Sequence, residues 1–101
     1  MKSNNENKRF EYTLKLFISG ASRNSTKAVK NLQRILEAHV PGRYSLQIID
    51  LYQDKSMAAE EQIVALPLLV RKNPLPEQRL VGDMSNEERV VNRLQIATTD
   101  L

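Results

Sequence analysis

The segment IVALPLLVRKNPLPEQRLVGD, from Ile63 to Asp83, decides the fold because it holds two apolar runs with a proline at the entry to the first. Pro67 has no backbone N–H to donate to a sheet ladder, so a strand tolerates it only at its first residue, at an edge or at a bulge. The runs PLLV and RLVGD can pair across RKNPLPEQ, which is too long and too rich in proline for a tight turn. The segment therefore predicts a β-hairpin that begins at Pro67.

Two strands are predicted upstream of this hairpin. Apolar and polar residues alternate from Phe10 to Ile18, which is typical of a strand with one well-covered face. From Tyr44 to Leu51 apolar residues occupy both faces, so we expect the second strand to be more fully buried than the first. A strand, a helix and a strand within about 40 residues fit a right-handed βαβ crossover, which makes the two strands parallel.

The helix between these strands is amphipathic. Apolar residues recur at three- and four-residue steps from Ala28 to Val40, where a proline–glycine pair ends the pattern. Asn24 or Ser25 is the predicted N-cap, since either side chain can accept a hydrogen bond from an orphan backbone N–H. His39, the single histidine, lies near the helix end and is interpreted as a surface or C-capping residue.

Two further helices complete the pattern. Residues 54–65 favour a short helix with a weak apolar stripe, and a capping box from Ser85 to Glu88 opens the last helix. The predicted order is βαβαββα within one α/β domain. We expect the chain to divide into a flexible N-terminal tail, the folded domain and a C-terminal tail: residues 1–9, 10–98 and 99–101.

Composition excludes several classes of protein. The chain has 101 residues, 41% hydrophobic and 27% charged, which suits one soluble domain with one modest core. No signal peptide or membrane-spanning run is present, so the cytoplasm is the expected address. There is no cysteine, which removes disulfides and thiol chemistry, and we expect no metal and no cofactor. A net charge of +3 permits an acidic partner but lacks the dense clusters of a nucleic-acid binder.

A row of basic residues follows one face of the first helix. Arg23, Lys27, Lys30 and Arg34 are spaced by four, three and four positions, which places them in one stripe. The spacing alone leaves two interpretations open: a solvated helix face, or a surface that docks on an acidic partner.

The order of elements matches the thioredoxin-like fold, in which the proline before the third strand is usually cis; Pro67 has that position. In thiol oxidoreductases this proline packs beside a Cys-x-x-Cys motif at the start of the first helix. The corresponding loop here is GASRNS, so the scaffold is predicted without its thiols.

Three longer stretches carry a more specific resemblance: LKLFISGASRNSTKAVKNLQRILE, YSLQIIDLYQDKSMAAEEQIVALPLL and RLVGDMSNEERVV. Together they resemble the circadian clock protein KaiB family over about Tyr12 to Leu94. The resemblance implies a non-enzymatic adaptor that binds the N-terminal ring of a KaiC-type ATPase and, in full clocks, recruits KaiA. It also implies a homo-oligomer, dimer or tetramer, and a fold-switched ground state with a rearranged C-terminal half.

The same resemblance implies roles for particular residues. The partner-binding surface carried over by position consists of Lys27, Lys30, Arg71, Arg79, Gly82 and Asp83. A structural switch is expected at the three prolines that crowd the predicted hairpin, because X-Pro isomerisation is slow: Pro67, Pro74 and Pro76. Because Lys27 and Lys30 also belong to the basic row, the resemblance favours the docking interpretation of that helix face.

Two other functions remain open at this point. The first is a redox-silent thioredoxin-like sensory module that does not switch fold, similar to the N-terminal domain of the clock-associated histidine kinase. The second is a small glutathione-using enzyme with Ser22 or Ser25 as the activating hydroxyl, although no base lies near either serine in sequence. A stress-response role beside a KaiC-like ATPase is a variant of the adaptor function, because Leu75 and Gln78 depart from the residues usual in clock members.

Overall fold

The computed structural model describes residues 11–63 and 65–96. Its elements follow the predicted βαβαββα order: β1 Tyr12–Ile18, α1 Arg23–His39, β2 Tyr44–Asp50, α2 Ser56–Glu60, β3 Leu68–Asn73, β4 Gln78–Val81 and α3 Glu87–Leu94. Phe10 and the predicted domain ends at residues 10 and 98, with both tails, lie outside the described residues. None of the helices among the described residues is long and apolar enough to cross a membrane.

The strands form one sheet in the order β2-β1-β3-β4. β1 and β2 are parallel, with Tyr12 opposite Tyr44, as the crossover predicted. β3 runs antiparallel to both β1 and β4. The expected deep burial of β2 is wrong, because β2 pairs only with β1 in the sheet of the described residues and Ile48 is 39% exposed. A strand at the edge of a sheet cannot be covered as well as β1, which has a neighbour on each side.

The sheet separates two apolar clusters. α1 and α3 cover one face, and α2 with its flanking segments covers the other. On the first face the buried residues of β1 are Tyr12, Leu14 and Leu16, which confirms the alternation read from the sequence. The smaller cluster on the second face is built on Phe17, Ile49, Leu51, Leu68 and Val70.

Both long helices begin one to three residues away from the predicted caps. The N-cap of α1 is Ser22, whose side chain accepts a hydrogen bond from the N–H of Ser25 at 3.2 Å. The N-cap of α3 is Asn86, whose side chain accepts from the N–H of Arg89 at 3.0 Å, so Ser85 lies one residue before the cap. At both helix starts several neighbouring polar residues could serve as the N-cap, and the local backbone conformation decides which one does.

The hairpin begins as predicted. The Leu66–Pro67 peptide bond is cis and β3 starts at the next residue. The Pro67 carbonyl accepts a hydrogen bond from the N–H of Gly82 at 3.0 Å, which joins the entry of β3 to the exit of β4. The connection is shorter than RKNPLPEQ, because β3 continues to Asn73 and only residues 74–77 lie between the strands. The peptide bonds before Pro74 and Pro76 are also cis.

The short helix α2 contains no buried residue, and ionic contacts at its end connect it to the sheet. The Glu61 carboxylate lies 2.9 Å from Lys72 Nζ, 3.5 Å from Arg79 Nη2 and 3.9 Å from Lys15 Nζ. Arg79 also donates to the Glu61 carbonyl at 2.7 Å. We call Glu61 and these three cations the Glu61 cluster.

Candidate functional site

The start of α1 holds two serines spaced as Ser-x-x-Ser. Ser22 is exposed at the N-cap, while Ser25 is fully buried one turn into the helix. Ser22 Oγ lies 2.9 Å from Ser25 Oγ, and Ser25 Oγ also accepts from the N–H of Ser19 at 3.0 Å. Neither hydroxyl is hydrogen-bonded to a carboxylate or an imidazole of a described residue. The arrangement therefore orders the loop and caps the helix.

The loop before this cap depends on Gly20. Its φ is +59°, and an added Cβ would lie 2.8 Å from Cδ2 of Tyr52, whose ring covers the glycine. The Asp50 carboxylate accepts from the N–H of Gly20 and from the N–H of Tyr52, both at 2.9 Å. Glycine is required at this position both for its backbone conformation and for the close approach of the ring.

The basic row on α1 is exposed along its whole length. Arg34 is engaged, since its Nη1 lies 3.1 Å from a Glu87 carboxylate oxygen. Neither Lys27 nor Lys30 forms a side-chain hydrogen bond or an ion pair with another described residue. Two lysines on adjacent turns therefore present uncommitted ammonium groups to solvent.

The loop between β4 and α3 lies beside these lysines. Asn31 Nδ2 donates to the Asp83 carbonyl at 3.0 Å, which fixes the loop against α1. The pKa of the Asp83 carboxyl is lowered, first by the hydrogen bonds that Ser85 donates and to a smaller extent by the charge of Lys27. Gly82, with φ of +135°, makes the turn that brings Asp83 to this place. The α1 docking surface is defined here as Lys27, Lys30, Gly82 and Asp83.

The two arginines predicted for the same surface lie elsewhere. Arg79 belongs to the Glu61 cluster on the α2 side of the sheet, where its Nε also lies 3.0 Å from Glu77. Arg71 is 1% exposed, so a surface position for it is wrong. Its guanidinium donates to the carbonyls of Leu94 and Pro76 and thereby ties β3 to the end of α3 and to the hairpin connection. A buried arginine cannot present its charge to a partner while this arrangement holds.

One contact that the sequence did not indicate fixes α3 against α1. His39 Nε2 lies 2.8 Å from one Glu87 oxygen, and Arg34 contacts the other. The hydrogen bond with His39, followed by that from Arg34, lowers the pKa of Glu87. α3 follows the β4–α3 loop directly. The contacts of Glu87 with His39 and Arg34 therefore also help to hold the α1 docking surface in place. The lone histidine is thus a surface residue with a structural partner.

The site offers no recognisable place for a metal. Within residues 11–63 and 65–96, no group of three His, Asp or Glu side chains could hold an ion. What the site does offer is charge: two free lysines, one fixed carboxylate and a rigid turn between them.

Solved structures place the fold in a known class. Mitochondrial thioredoxin 3 of Saccharomyces cerevisiae superposes with a TM-score of 0.69 at 14% identity, covering 90% of this chain and 83% of that one. The N-terminal domain of Synechococcus elongatus SasA superposes with a TM-score of 0.70 at 25% identity, covering 86% and 82%. The chain is therefore a thioredoxin-like α/β protein in which serines stand at the Cys-x-x-Cys spacing.

Sequence comparisons identify the family within this class. The KaiB domain model matches residues 15–96. The circadian clock oscillator protein KaiB of Synechococcus elongatus is 39% identical over 90 residues, which are 89% of this chain and 88% of that protein. The KaiB of Thermosynechococcus vestitus is 40% identical over 85 residues, 84% of this chain and 79% of that protein. The chain belongs to the KaiB family, and this membership supports a regulatory role in a circadian clock.

Proposed function

We propose that this protein is a non-enzymatic adaptor that binds a KaiC-type ATPase ring through the α1 docking surface. The observation that carries the proposal is the pair Lys27 and Lys30, exposed and without an intramolecular partner among the described residues, beside the fixed Asp83 loop. The membership of the KaiB family supplies the class of partner.

The charges of this surface fit an acidic partner. Exposed ion pairs contribute only about 0.2–1 kcal/mol each, so the two lysines act mainly on the rate and orientation of the encounter. Specificity would then come from the shape of the Gly82–Asp83 turn, which the hydrogen bond from Asn31 holds in place. Arg71 is not part of the proposed surface, because its guanidinium is buried.

The surface also explains how a change of fold would regulate binding. Lys27 and Lys30 belong to the N-terminal half of the chain, whereas Gly82 and Asp83 belong to the C-terminal half. A rearranged C-terminal half, as the family resemblance implies, would separate the two parts and remove the surface. We propose the segment that contains Pro67, Pro74 and Pro76 as the switch, with homo-oligomers formed by the rearranged state and KaiA recruited after ATPase binding.

Size-exclusion chromatography tests the adaptor function. The protein is incubated with a KaiC-type ATPase for increasing times, and we expect co-elution with the ring that grows with time. The Lys27→Glu/Lys30→Glu variant should weaken the complex by about 1–2 kcal/mol, roughly 5–30-fold in Kd. Lys55→Glu is the control for the single variants Lys27→Glu and Lys30→Glu, because it makes the same charge change at one exposed position outside the basic row of α1. Absence of a complex after a day, or an equal loss in the control, would defeat the proposal.

A second function is supported by the likeness to the SasA N-terminal domain. A redox-silent thioredoxin-like sensory module would recognise its partner without changing fold. NMR spectra distinguish the two functions. Slow exchange between two sets of signals for residues after Asp50 would support the switching adaptor, and a single set with binding on the millisecond scale would support the sensory module.

A further inference from the structure

A groove of about 300 Å³ runs along β4 between α3 and the segment that leads into β3. Apolar side chains of β3 and β4 form its floor: Leu68, Leu80 and Val81. Three arginines line it: Arg79 from β4, and Arg89 and Arg93 from α3. These six residues define the β4 groove, which shares no residue with the α1 docking surface.

The charge of the groove is one-sided. No carboxylate is among the described residues that line it. Arg79 is committed to Glu61 and Glu77, and Arg93 Nη1 donates to the Arg79 carbonyl at 2.6 Å. The side chain of Arg89 is exposed and forms no ion pair or hydrogen bond with another described residue. The guanidinium of Arg89 therefore lines the groove as a positive charge that no described carboxylate neutralises.

The helix sets the direction of these charges. Arg89 and Arg93 are four residues apart, so they lie on the same face of α3, one turn above the other. Arg89 also borders the neighbouring depression at the β4–α3 loop, so it lies where the two depressions meet. The two arginines of α3 form one side of the groove.

The floor of the groove is a sheet edge. Among the strands that the structure describes, β4 pairs with β3 alone, and Val81 at its end is 44% exposed. Arg93 already occupies one outward acceptor of this edge, the Arg79 carbonyl, and so protects part of the strand from unspecific pairing. The exposed Val81 gives this end of the edge an apolar surface, whereas the neighbouring Leu80 faces the buried core.

We infer that the β4 groove docks an acidic extended segment of a partner protein. Its carboxylates would pair with Arg89 and Arg93, and its apolar side chains would lie on the exposed Val81. Alternation of acidic and apolar residues suits an extended segment, whose successive side chains point in opposite directions. No aromatic side chain is among the described residues lining the groove, so a single-stranded nucleic acid would gain no stacking there.

A fluorescent synthetic peptide of alternating glutamate and valine is the probe. Its binding is measured by fluorescence anisotropy against the full chain, beside a lysine–valine peptide and a single-stranded oligothymidine. We expect the acidic peptide to bind more tightly than either of the others. Failure to bind, or tighter binding of the oligothymidine, overturns the inference.

Variants locate the binding. Arg89→Gln/Arg93→Gln should weaken the acidic peptide by about tenfold, as two exposed ion pairs are lost. Arg23→Gln/Lys55→Gln removes the same charge from two other exposed positions and should leave the affinity unchanged. Because Arg93 also holds the Arg79 carbonyl, Arg89→Gln alone is measured as well and should cost about threefold. Equal losses in the control and groove variants would overturn the inference.

The inference does not rest on ATPase binding, and the two can fail separately. Lys27→Glu/Lys30→Glu should bind the acidic peptide as the wild type does if the groove is the site. Arg89→Gln should in turn leave the formation of the ATPase complex through the α1 docking surface unchanged. If the acidic peptide loses affinity only for the Lys27→Glu/Lys30→Glu variant, then it binds the α1 docking surface, and the proposed binding in the β4 groove is refuted.

Discussion

Replacing Glu61 by glutamine tests whether the Glu61 cluster is what fastens α2 to the sheet. The side chain is only 12% exposed and faces three cations, of which Lys72 is the nearest at 2.9 Å. Glutamine keeps the size and removes the charge. The helix has no fully buried residue; Met57 and Ala58 pack partly buried on the second-face cluster, and the Glu61 contacts are the ionic part of its attachment.

The expected cost follows from the contacts. A hydrogen bond to a charged group is worth about 1.5–3 kcal/mol, and Glu61 accepts one from Lys72. In the variant, Lys72 and Arg79 keep their ion pairs with Glu77, at 3.4 and 3.0 Å. These pairs offset part of the stability that is lost with the Glu61 charge. We expect a net loss of about 1.5 kcal/mol in the free energy of unfolding. At about 4–8 °C per kcal/mol for a domain of this size, Tm should fall by about 6–12 °C.

Thermal and urea unfolding measure the loss, and hydrogen exchange locates it. Exchange should accelerate at the amides of Glu61 and Ile63, which donate to Met57 and Ala58 of α2. Glu60→Gln is the matched control, since Glu60 is exposed and forms no ion pair with another described residue. At ~1 M salt the gap between variant and wild type should narrow, as the charges are screened. Equal stability of the two glutamine variants would refute the role of the cluster.

Three further predictions concern titration and capping. Tyr44 donates to Glu37 at 2.6 Å and its pKa is raised to about 12, so Glu37→Gln should return it toward 10.0 in an NMR titration; no change would contradict this bond. The lowered pKa of Glu87 contributes stability that is present above its ordinary value of 4.5 and is lost as pH falls through the lowered value. In the Glu87→Gln variant the free energy of unfolding should therefore fall less steeply as pH is lowered below 4.5. An unchanged dependence on pH would refute this contribution of Glu87. Ser25→Ala leaves the Ser19 N–H without its acceptor and should lower the free energy of unfolding in urea by about 1–2 kcal/mol. A loss below about 0.5 kcal/mol would contradict this role of Ser25.

The order of elements was predictable because each one has a local signal. The alternation of β1, the helical spacing of α1 and the proline at the entry of β3 each depend on neighbours in sequence. The edge position of β2 has no such signal. Its two apolar faces are typical of a central parallel strand. The order of the described strands, in which β1 lies between β2 and β3, is what places β2 at the edge of the sheet. Strand order is a long-range property that local patterns do not contain.

The candidate site was only partly predictable for a similar reason. Lys27 and Lys30 were found because helical spacing puts them on one exposed face. Arg71 was misplaced because a charge at the end of an apolar run suggests the surface. Alternation from Leu69, which faces α1 and α3, would have put Arg71 on the core side. The hydrogen bond from Asn31 to the Asp83 carbonyl joins residues far apart in the chain, and nothing in the sequence indicated it.

The most direct measurement of the proposed adaptor function is lysine acetylation, read by mass spectrometry, of the free protein and of the protein bound to a KaiC-type ATPase ring. Lys27 and Lys30 should react readily in the free protein and become protected in the complex. Lys55, exposed before α2 on the opposite face of the sheet, should react equally in both and serves as the internal control. Unchanged labelling of Lys27 and Lys30 in a complex that demonstrably forms would contradict docking through α1.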